Sequence, residues 1–167
     1  SYFPELALES RRAKGGTLCL WHSALDPFIT ILPTTSAAVL PLLLSIPGLS
    51  PSAHICVYMP TSGKDDKFVL ALAALTAVMK TMAEDYPNTP VYIIGDANVN
   101  PNNLSRVQLL SSFSAKLHLS SLYFGHPTHH HFMGGGVSDS QLDVLLYQAP
   151  AHLAESLAKI ERGKPNP

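Results

Sequence analysis

The strongest pattern along the chain is a helical repeat of apolar residues between Asp65 and Tyr86. Six apolar side chains recur there three or four positions apart: Phe68, Leu72, Leu75, Val78, Met79 and Met82. Ser62 or Asp65 is placed to cap the start, and Pro87 lies just past the end. The spacing therefore predicts a helix over residues 65–86 with one face packed against the core.

Short runs rich in β-branched and aromatic residues predict the strands. These runs lie at residues 17–21 (TLCLW), 28–32 (FITIL), 54–58 (HICVY), 91–94 (VYII) and 141–147 (QLDVLLY). The four residues at 91–94 are apolar without alternation, which predicts burial on both faces of that strand. Residues 36–45 have a helix-like pattern interrupted by Pro41, so a short or broken helix is expected there.

Two further helices are predicted in the second half of the chain, at residues 104–117 and 151–162, and Gly163 ends the second one. Residues 121–124 are expected to be extended. Strand, helix and strand follow one another across residues 54–94, which predicts an α/β or α+β fold. No internal repeat or linker divides the 167 residues, so residues 1–167 are interpreted as one domain.

The composition is that of a globular domain with few surface charges, since 46% of the residues are apolar and 14% are charged. The net charge of −1 gives no global field towards nucleic acid, although Arg11, Arg12 and Lys14 form a local basic cluster. Cys19 and Cys56 have no close spacing. That spacing supports neither a disulfide framework nor a zinc motif, and it predicts buried thiols in a reducing, intracellular compartment.

No segment of the chain is expected to cross a membrane. The longest apolar run, residues 37–49, is broken by two prolines and is shorter than the ~20 residues that a bilayer needs. Residues 1–14 include Glu, Arg and Lys and have no apolar core of the kind found in signal peptides. The chain begins with Ser1 rather than Met and stops at Pro167, so both ends are interpreted as cut.

The strand at 91–94 ends in Gly95-Asp96-Ala97-Asn98, which places a carboxylate and an amide where α/β enzymes often keep their chemistry. Side chains two positions apart share a face of an extended chain, so Asp96 and Asn98 are expected to lie side by side. Asp96 is then a candidate to orient or deprotonate a water, and Asn98 to hold a phosphate oxygen. The alternative is an Asx turn, because both residue types form local hydrogen bonds.

Tyr58 and Asp143 are two more candidates, and each lies at the end of a predicted strand. The phenol of Tyr58 can hydrogen-bond an attacking or leaving oxygen, the alternative being an interior tyrosine. Asp143 opens an apolar strand, where an acid is costly to bury unless it is paired. His126 and His129–His131 suggest metal binding, but histidines on an extended chain alternate between faces and no Cys or carboxylate lies at ligand spacing. A solvated loop is therefore favoured there.

Taken in order, YMP at 58–60, GDAN at 95–98, Thr128 and SQLD at 140–143 resemble the endonuclease/exonuclease/phosphatase family. The resemblance runs from about residue 11 to about residue 147 and is closest to the endonucleases of non-LTR (LINE-type) retrotransposons. Apurinic/apyrimidinic endonucleases and deoxyribonuclease I are relatives. The resemblance implies a four-layer α/β/β/α sandwich, in which two β-sheets face each other with helices outside.

The resemblance also implies roles for individual residues. Tyr58 is expected to contact the scissile phosphate, Asp96 to position or deprotonate the attacking water, and Asn98 to steady the phosphate. Asp143 is expected to orient a catalytic histidine.

Two further positions, Thr128 and Ser140, are candidate substrate-binding residues by the same resemblance. The reaction it implies is metal-dependent hydrolysis of a phosphodiester bond, with Mg²⁺ as the cofactor and DNA as the partner. Such a protein is expected in the nucleus or the cytoplasm.

The chain departs from the family pattern at several positions that bear on activity. Ala97 replaces the aromatic residue of Gly-Asp-Phe-Asn, and Glu5 and Glu9 do not stand in the Gln-Glu-Thr setting of the metal-binding glutamate. The closing Ser-Asp-His motif is not found, and His152 lies on a predicted helix. The domain is therefore expected to lack strands at both termini, and the chain by itself to have little or no nuclease activity.

Four functions follow as alternatives. The first is an endonuclease domain, or its remnant, from a retroelement. The second is a non-catalytic module that contacts nucleic acid or protein through four cations, Arg11, Arg12, Lys14 and Arg106. The third is a phosphatase relative, since the same scaffold hydrolyses phosphomonoesters, and the fourth is a decayed copy without a selected function. The sequence leaves the oligomeric state and the choice between DNA and RNA open.

Overall fold

A mixed sheet of six strands forms the centre of the part of the chain that the computed structural model describes. That part comprises residues 2–3, 17–61, 63–100, 102–121, 129–133, 136–140 and 143–149. The strands are β1 (Tyr2–Phe3), β2 (Thr17–Leu18), β3 (Ile29–Ile31), β4 (Val39–Leu44), β5 (Ser52–Tyr58), β6 (Val91–Asp96), β7 (Ser120–Ser121), β8 (His129–Met133), β9 (Gly136–Ser140) and β10 (Asp143–Gln148). The α-helices are α1 (Asp65–Asp85) and α2 (Leu104–Lys116), and a 3₁₀ helix (Ser23–Phe28) precedes β3.

The six-stranded sheet has the order β3-β4-β5-β6-β10-β7. β5 and β6 are parallel neighbours joined by α1, and each of the other neighbouring pairs in this sheet is antiparallel. β1 pairs with β2, and β8 pairs with β9, outside this sheet. Because β10 runs opposite to β6, the amino end of β10 lies beside the carboxyl ends of β5 and β6, at the same end of the sheet.

One face of the sheet is buried together with α1. The side chains of Ala53, Ile55 and Val57 in β5 are buried and belong to one apolar cluster with Val91 and Ile93 of β6. The buried face of α1 contributes Phe68, Ala71, Leu72, Leu75, Val78, Met79 and Met82 to the same cluster. This burial confirms the predicted helix and its packing face. Lys64 at the N-cap makes no side-chain capping bond, and Ser62 lies outside the described residues.

The α/β class predicted from the order of elements is confirmed by the mixed sheet and the two helices. The four-layer arrangement, the missing terminal strands and the single domain over residues 1–167 stay predictions. The predicted helix at 151–162 lies outside the described residues. None of the helices in the described ranges combines the length and the apolar character that crossing a bilayer requires.

The helix predicted at 36–45 is wrong, because residues 39–44 form the strand β4 between β3 and β5. Its residues Val39–Leu43 are all buried, so the pattern VLPLLL does not alternate, and a fully buried strand and a helix cannot be distinguished by such a run. Pro41 lies opposite Ile55, and its carbonyl accepts a hydrogen bond from the Leu32 N–H at 3.0 Å.

Two predictions about burial also fail. The strand β6 is not buried on both faces: Tyr92 is half-buried and Ile94 is 43% exposed. Buried and exposed side chains thus alternate along β6 as they do along β5, and only one face of the strand packs in the core. Cys19 and Cys56 are partly exposed rather than buried, and their thiols are hydrogen-bonded to each other although 37 positions separate them in the sequence.

Candidate functional site

A row of three side chains lies across the ends of the neighbouring strands β5, β6 and β10. It consists of Tyr58, Asp96 and Asp143. Tyr58 is the register partner of Asp96 on the parallel strands β5 and β6, and Asp143 is the register partner of Asp96 on the antiparallel strands β6 and β10. Directly opposed residues project to the same face, with Cβ atoms ~5 Å apart. Tyr58 is 38% exposed and both carboxylates are half-buried, so the row is open to solvent.

Asn98 lies in the turn that follows this row. Its backbone N–H donates to Asp96 Oδ1 at 2.8 Å, which is the Asx turn that the sequence offered as an alternative. Its side-chain Nδ2 donates to the carbonyl of Met59, also at 2.8 Å, so the amide is held against the residue that follows Tyr58. Asn98 has φ +50°, a left-handed conformation that asparagine tolerates better than most residues. The turn therefore fixes Asn98 beside the row.

The two strand ends are also joined through their backbones. The Met59 N–H donates to the carbonyl of Asp96 at 2.8 Å, which extends the β5–β6 pairing by one residue. The Tyr58 N–H donates to the carbonyl of Ala38 at 2.9 Å on the other side. The backbone at the row is consequently held from both sides, and Tyr58 is not an interior tyrosine.

Arg106 was predicted as a surface contact for nucleic acid or protein, and this prediction is wrong. Arg106 is 1% exposed, and its guanidinium bonds to backbone carbonyls of the two loops that follow β5 and β6. A partner cannot reach it. No local pattern in the sequence distinguishes a buried arginine from a surface one, because the carbonyls that surround it come from distant segments.

The other predicted site residues lie mostly outside the described residues. Thr128 lies outside the described residues, as do Arg11, Arg12 and Lys14. Ser140 ends β9, where its backbone pairs with His129. The histidines of β8 are described by backbone alone, and His126 is not described.

The atoms at the row that could bind a cation are all oxygens. They belong to the carboxylates of Asp96 and Asp143, the phenol of Tyr58 and the side-chain amide of Asn98. Two carboxylates in directly opposed positions concentrate negative charge, which a cation at the same place would offset. Across the described ranges, no group of three or more His, Cys, Asp or Glu side chains is placed to hold a metal ion.

A ladder of aromatic rings lies on the same face of the sheet as the row. The ring of His54 stacks on Tyr92 with centroids 5.3 Å apart, and Tyr92 stacks on Tyr147 at 5.0 Å. Burial lowers the pKa of His54 below its usual 6.5. Burial, with the neighbouring Tyr92, raises the pKa of Tyr147.

Cys56 lies between this ladder and the row on the same strand face. Burial raises the pKa of its thiol to about 11, and the charge and hydrogen bond of the Cys19 thiol act in the same direction. A thiol with such a pKa is protonated at neutral pH and does not act as a nucleophile. Cys56 is therefore not a candidate nucleophile for chemistry at the row.

Two solved structures resemble the chain throughout most of its length. The endonuclease domain of TRAS1, a telomere-specific non-LTR retrotransposon, has a TM-score of 0.65 at 16% identity and matches 93% of this chain and 68% of that domain. The catalytic domain of human nocturnin, with a bound sulfate anion, has a TM-score of 0.50 at 14% identity and matches 91% of this chain and 60% of that domain. No protein-family model and no curated protein sequence matches the chain. The mixed α/β fold that the sequence motifs led us to expect is therefore confirmed, and its four-layer arrangement stays a prediction.

Proposed function

We propose that this chain provides a phosphodiester-hydrolysing site of the endonuclease/exonuclease/phosphatase type, with DNA as its substrate. The observation that supports the proposal best is the row of Tyr58, Asp96 and Asp143 with Asn98 fixed beside it. These are the residues that the sequence motifs single out, and distant parts of the chain bring them together. The likeness of fold to an endonuclease domain is the second support.

In this proposal Asp96 acts on the attacking water. One oxygen of its carboxylate accepts the Asn98 N–H, which fixes the rotation of the side chain. The carboxylate held in this way orients a water and accepts its proton as the water attacks phosphorus. A carboxylate held in this way loses little freedom on reaching the transition state, which is the usual contribution of a positioned general base.

Tyr58 and Asn98 hold the phosphate. The Tyr58 hydroxyl is a donor to a non-bridging or leaving oxygen, and its exposed position at the strand end leaves it accessible to a substrate. Asn98 is oriented by its bond to Met59, so its amide presents a fixed dipole at the edge of the site. Such preorganised groups stabilise the charge that develops on the phosphoryl oxygens.

The oxygen donors of the row fit Mg²⁺, which is bound in proteins by one or two carboxylates together with water and substrate phosphate. Asp96 and Asp143 are the residues that would hold it. When bound, the ion supplies charge neutralisation at the phosphate and the leaving oxygen. Asp143 then has a second use, because its carboxylate lies directly opposite that of Asp96 and together the two favour a cation at the row.

We further propose that the chain hydrolyses DNA slowly on its own. Across the part of the chain that the structure describes, no group of three or more His, Cys, Asp or Glu side chains is placed to hold a metal ion. The same observation favours a second candidate function, in which the row binds a phosphodiester without cleaving it. Such a protein would act where DNA is found, in the nucleus or the cytoplasm.

Nicking of supercoiled plasmid by the purified chain tests the proposal. Wild type, Asp96→Asn and Asp85→Asn are compared with MgCl₂ and with EDTA. Asp85 is an exposed carboxylate at the far end of α1, which makes Asp85→Asn the matched control. We expect slow Mg²⁺-dependent nicking by wild type and control, and a rate at least ~10²-fold lower for Asp96→Asn.

The other outcomes separate the alternatives. Equal nicking by wild type and Asp96→Asn contradicts the proposed site. No nicking by any of the three proteins, with DNA binding that Asp96→Asn alters, favours the non-catalytic function.

A further inference from the structure

We infer that Arg106 is the positioning residue of this site: its buried guanidinium ties the loop that follows Tyr58 to the turn that holds Asn98. The inference rests on the proposed function. Nη1 donates to the carbonyl of Pro60 at 2.6 Å and to the carbonyl of Asn98 at 3.2 Å. Nη2 donates to the carbonyl of Thr61 at 2.8 Å. One side chain therefore bridges the loop after β5 and the turn after β6.

The bridge lies directly beneath the groups that would contact substrate. Pro60 and Thr61 follow Met59, whose carbonyl accepts the Asn98 side chain. Asn98 is thus held twice, through its side chain by Met59 and through its own carbonyl by Arg106. A shift of either loop would change the distance between Tyr58 and Asn98, and misplacement by ~1 Å is enough to reduce catalysis strongly.

The position of the guanidinium is stabilised on every side. Nε donates to Asp65 Oδ1 at 2.8 Å, and the guanidinium carbon lies 4.5 Å from the centre of the Phe68 ring. Burying a cation without such partners would cost much free energy. Here an ion pair, three carbonyls and an aromatic face offset that desolvation cost. The charge is neutralised by Asp65 at the outer side, so Arg106 does not contact the phosphate itself.

The helix that bears Arg106 is anchored at the same place. The Arg106 N–H donates to Oδ1 of Asn103 at 3.3 Å, which caps the start of α2. The start of α1 is fixed through Asp65. Both helices therefore begin at the guanidinium, and the two loops between them and the strands are short.

Lysine cannot replace arginine in this position. The four hydrogen bonds radiate from three nitrogen atoms of a planar group, to acceptors on three different segments of the chain. An ammonium offers its donors from one point and cannot span that distance. Arg106→Lys consequently keeps the charge but loses the bridge.

The test compares wild type, Arg106→Lys and Lys80→Gln as folded proteins. Lys80 is 74% exposed on α1 and pairs with Glu84 at 3.7 Å, so Lys80→Gln is a control for the loss of a surface cation. Backbone amide exchange is measured by NMR at Met59 and Asn98 and, for reference, across β4. In Arg106→Lys we expect exchange at Met59 and Asn98 to accelerate by at least ~10-fold, with less than ~2-fold change in β4.

Single-turnover plasmid nicking provides the second readout. We expect the maximal rate of Arg106→Lys to fall ~10- to 100-fold while the half-saturating DNA concentration changes less than ~3-fold, since the lost contacts act on positioning. Uniform acceleration of exchange throughout the sheet, or an unchanged nicking rate, overturns the inference. If wild type does not nick DNA, the proposed function fails, but the exchange data still decide whether Arg106 bridges the loops.

A third measurement keeps the inference testable if Arg106→Lys does not fold. In wild type, the Nη protons of Arg106 should give separate, slowly exchanging signals, because both nitrogens are buried and bonded. A single averaged signal that exchanges like that of a surface arginine contradicts the bridge.

Discussion

The carbonyl oxygen of Val57 lies only 2.0 Å from the position that a Cβ atom on Gly95 would occupy. Gly95 also has φ +142°, a conformation that side chains rarely adopt. Glycine at this position lets β6 pass close to β5, directly before Asp96 reaches Tyr58. The abrupt end of the apolar run VYII in a glycine is therefore explained by the approach of the two strands at the candidate site.

Replacing Gly95 by alanine should destabilise the fold strongly. The added methyl group would collide with the backbone of Val57, which cannot yield like a flexible side chain. We expect the free energy of unfolding in urea to fall by roughly 3–5 kcal/mol, or the chain to fail to fold.

Gly48→Ala is the matched control for this substitution. Gly48 has φ +82° but open space around its Cα, so only backbone strain of ~1 kcal/mol is expected. Equal losses of stability in the two variants would contradict the steric account of Gly95.

Local patterns predicted the elements of this fold better than its pairings. The helix over residues 65–86 and the motif around Asp96 and Asn98 are visible in spacing and turn chemistry. The pairing of Asp143 with Asp96 cannot be recognised in the sequence, because no local pattern indicates which strands become neighbours. The resemblance of motifs singles out the site residues, and the strand register brings three of them into one row.

Sequence reasoning failed where distant segments decide the environment of a residue. The run at 39–44 is a strand because β3 and β5 pair with it on both sides, which its composition does not reveal. Arg106 is buried because carbonyls from two other loops converge on it. In both cases tertiary contacts override local preference.

Asn98→Gly should separate the function of the Asn98 side chain from that of its backbone. Glycine tolerates φ +50° but has no amide to donate to the Met59 carbonyl. We expect a loss of stability of ~1 kcal/mol, the typical contribution of one hydrogen bond, and a ~10²-fold lower nicking rate.

Asn100→Gly removes an exposed asparagine from the same loop and serves as the control. Its nicking rate should stay within ~3-fold of wild type, since the Asn100 side chain is exposed and accepts the Asn102 N–H within its own turn. A rate for Asn98→Gly that matches the rate for Asn100→Gly would show that the amide of Asn98 has no role in the reaction.

His54 should make the stability of the chain depend on pH. Burial lowers its pKa below 6.5, so the unfolded chain binds the proton more readily than the folded chain. The stabilisation is fully present above pH 6.5 and is lost as the pH falls through the lower pKa of the folded state. Urea unfolding between pH 8 and pH 5 should show a steeper loss for wild type than for His54→Asn, and parallel profiles would contradict the assignment.

Cys56 should react slowly with alkylating reagents although it is partly exposed. With a pKa of about 11, roughly one thiol in a thousand is ionised at pH 8, and the thiolate is the reactive form. Peptide mapping after iodoacetamide treatment should show much slower modification of Cys56 in the folded chain than in urea. Cys19→Ser removes one cause of the raised pKa and should speed modification, and an unchanged rate would show that Cys19 has no influence.

In the proposed reaction, water attacks a phosphodiester at the row of Tyr58, Asp96 and Asp143. The most direct measurement is mass spectrometry of the products from a DNA duplex cleaved by excess protein with Mg²⁺ in H₂¹⁸O. We expect one ¹⁸O atom in each new terminal phosphate, and no product above background with Asp96→Asn. Product without ¹⁸O, or equal labelled product from Asp96→Asn, would contradict it.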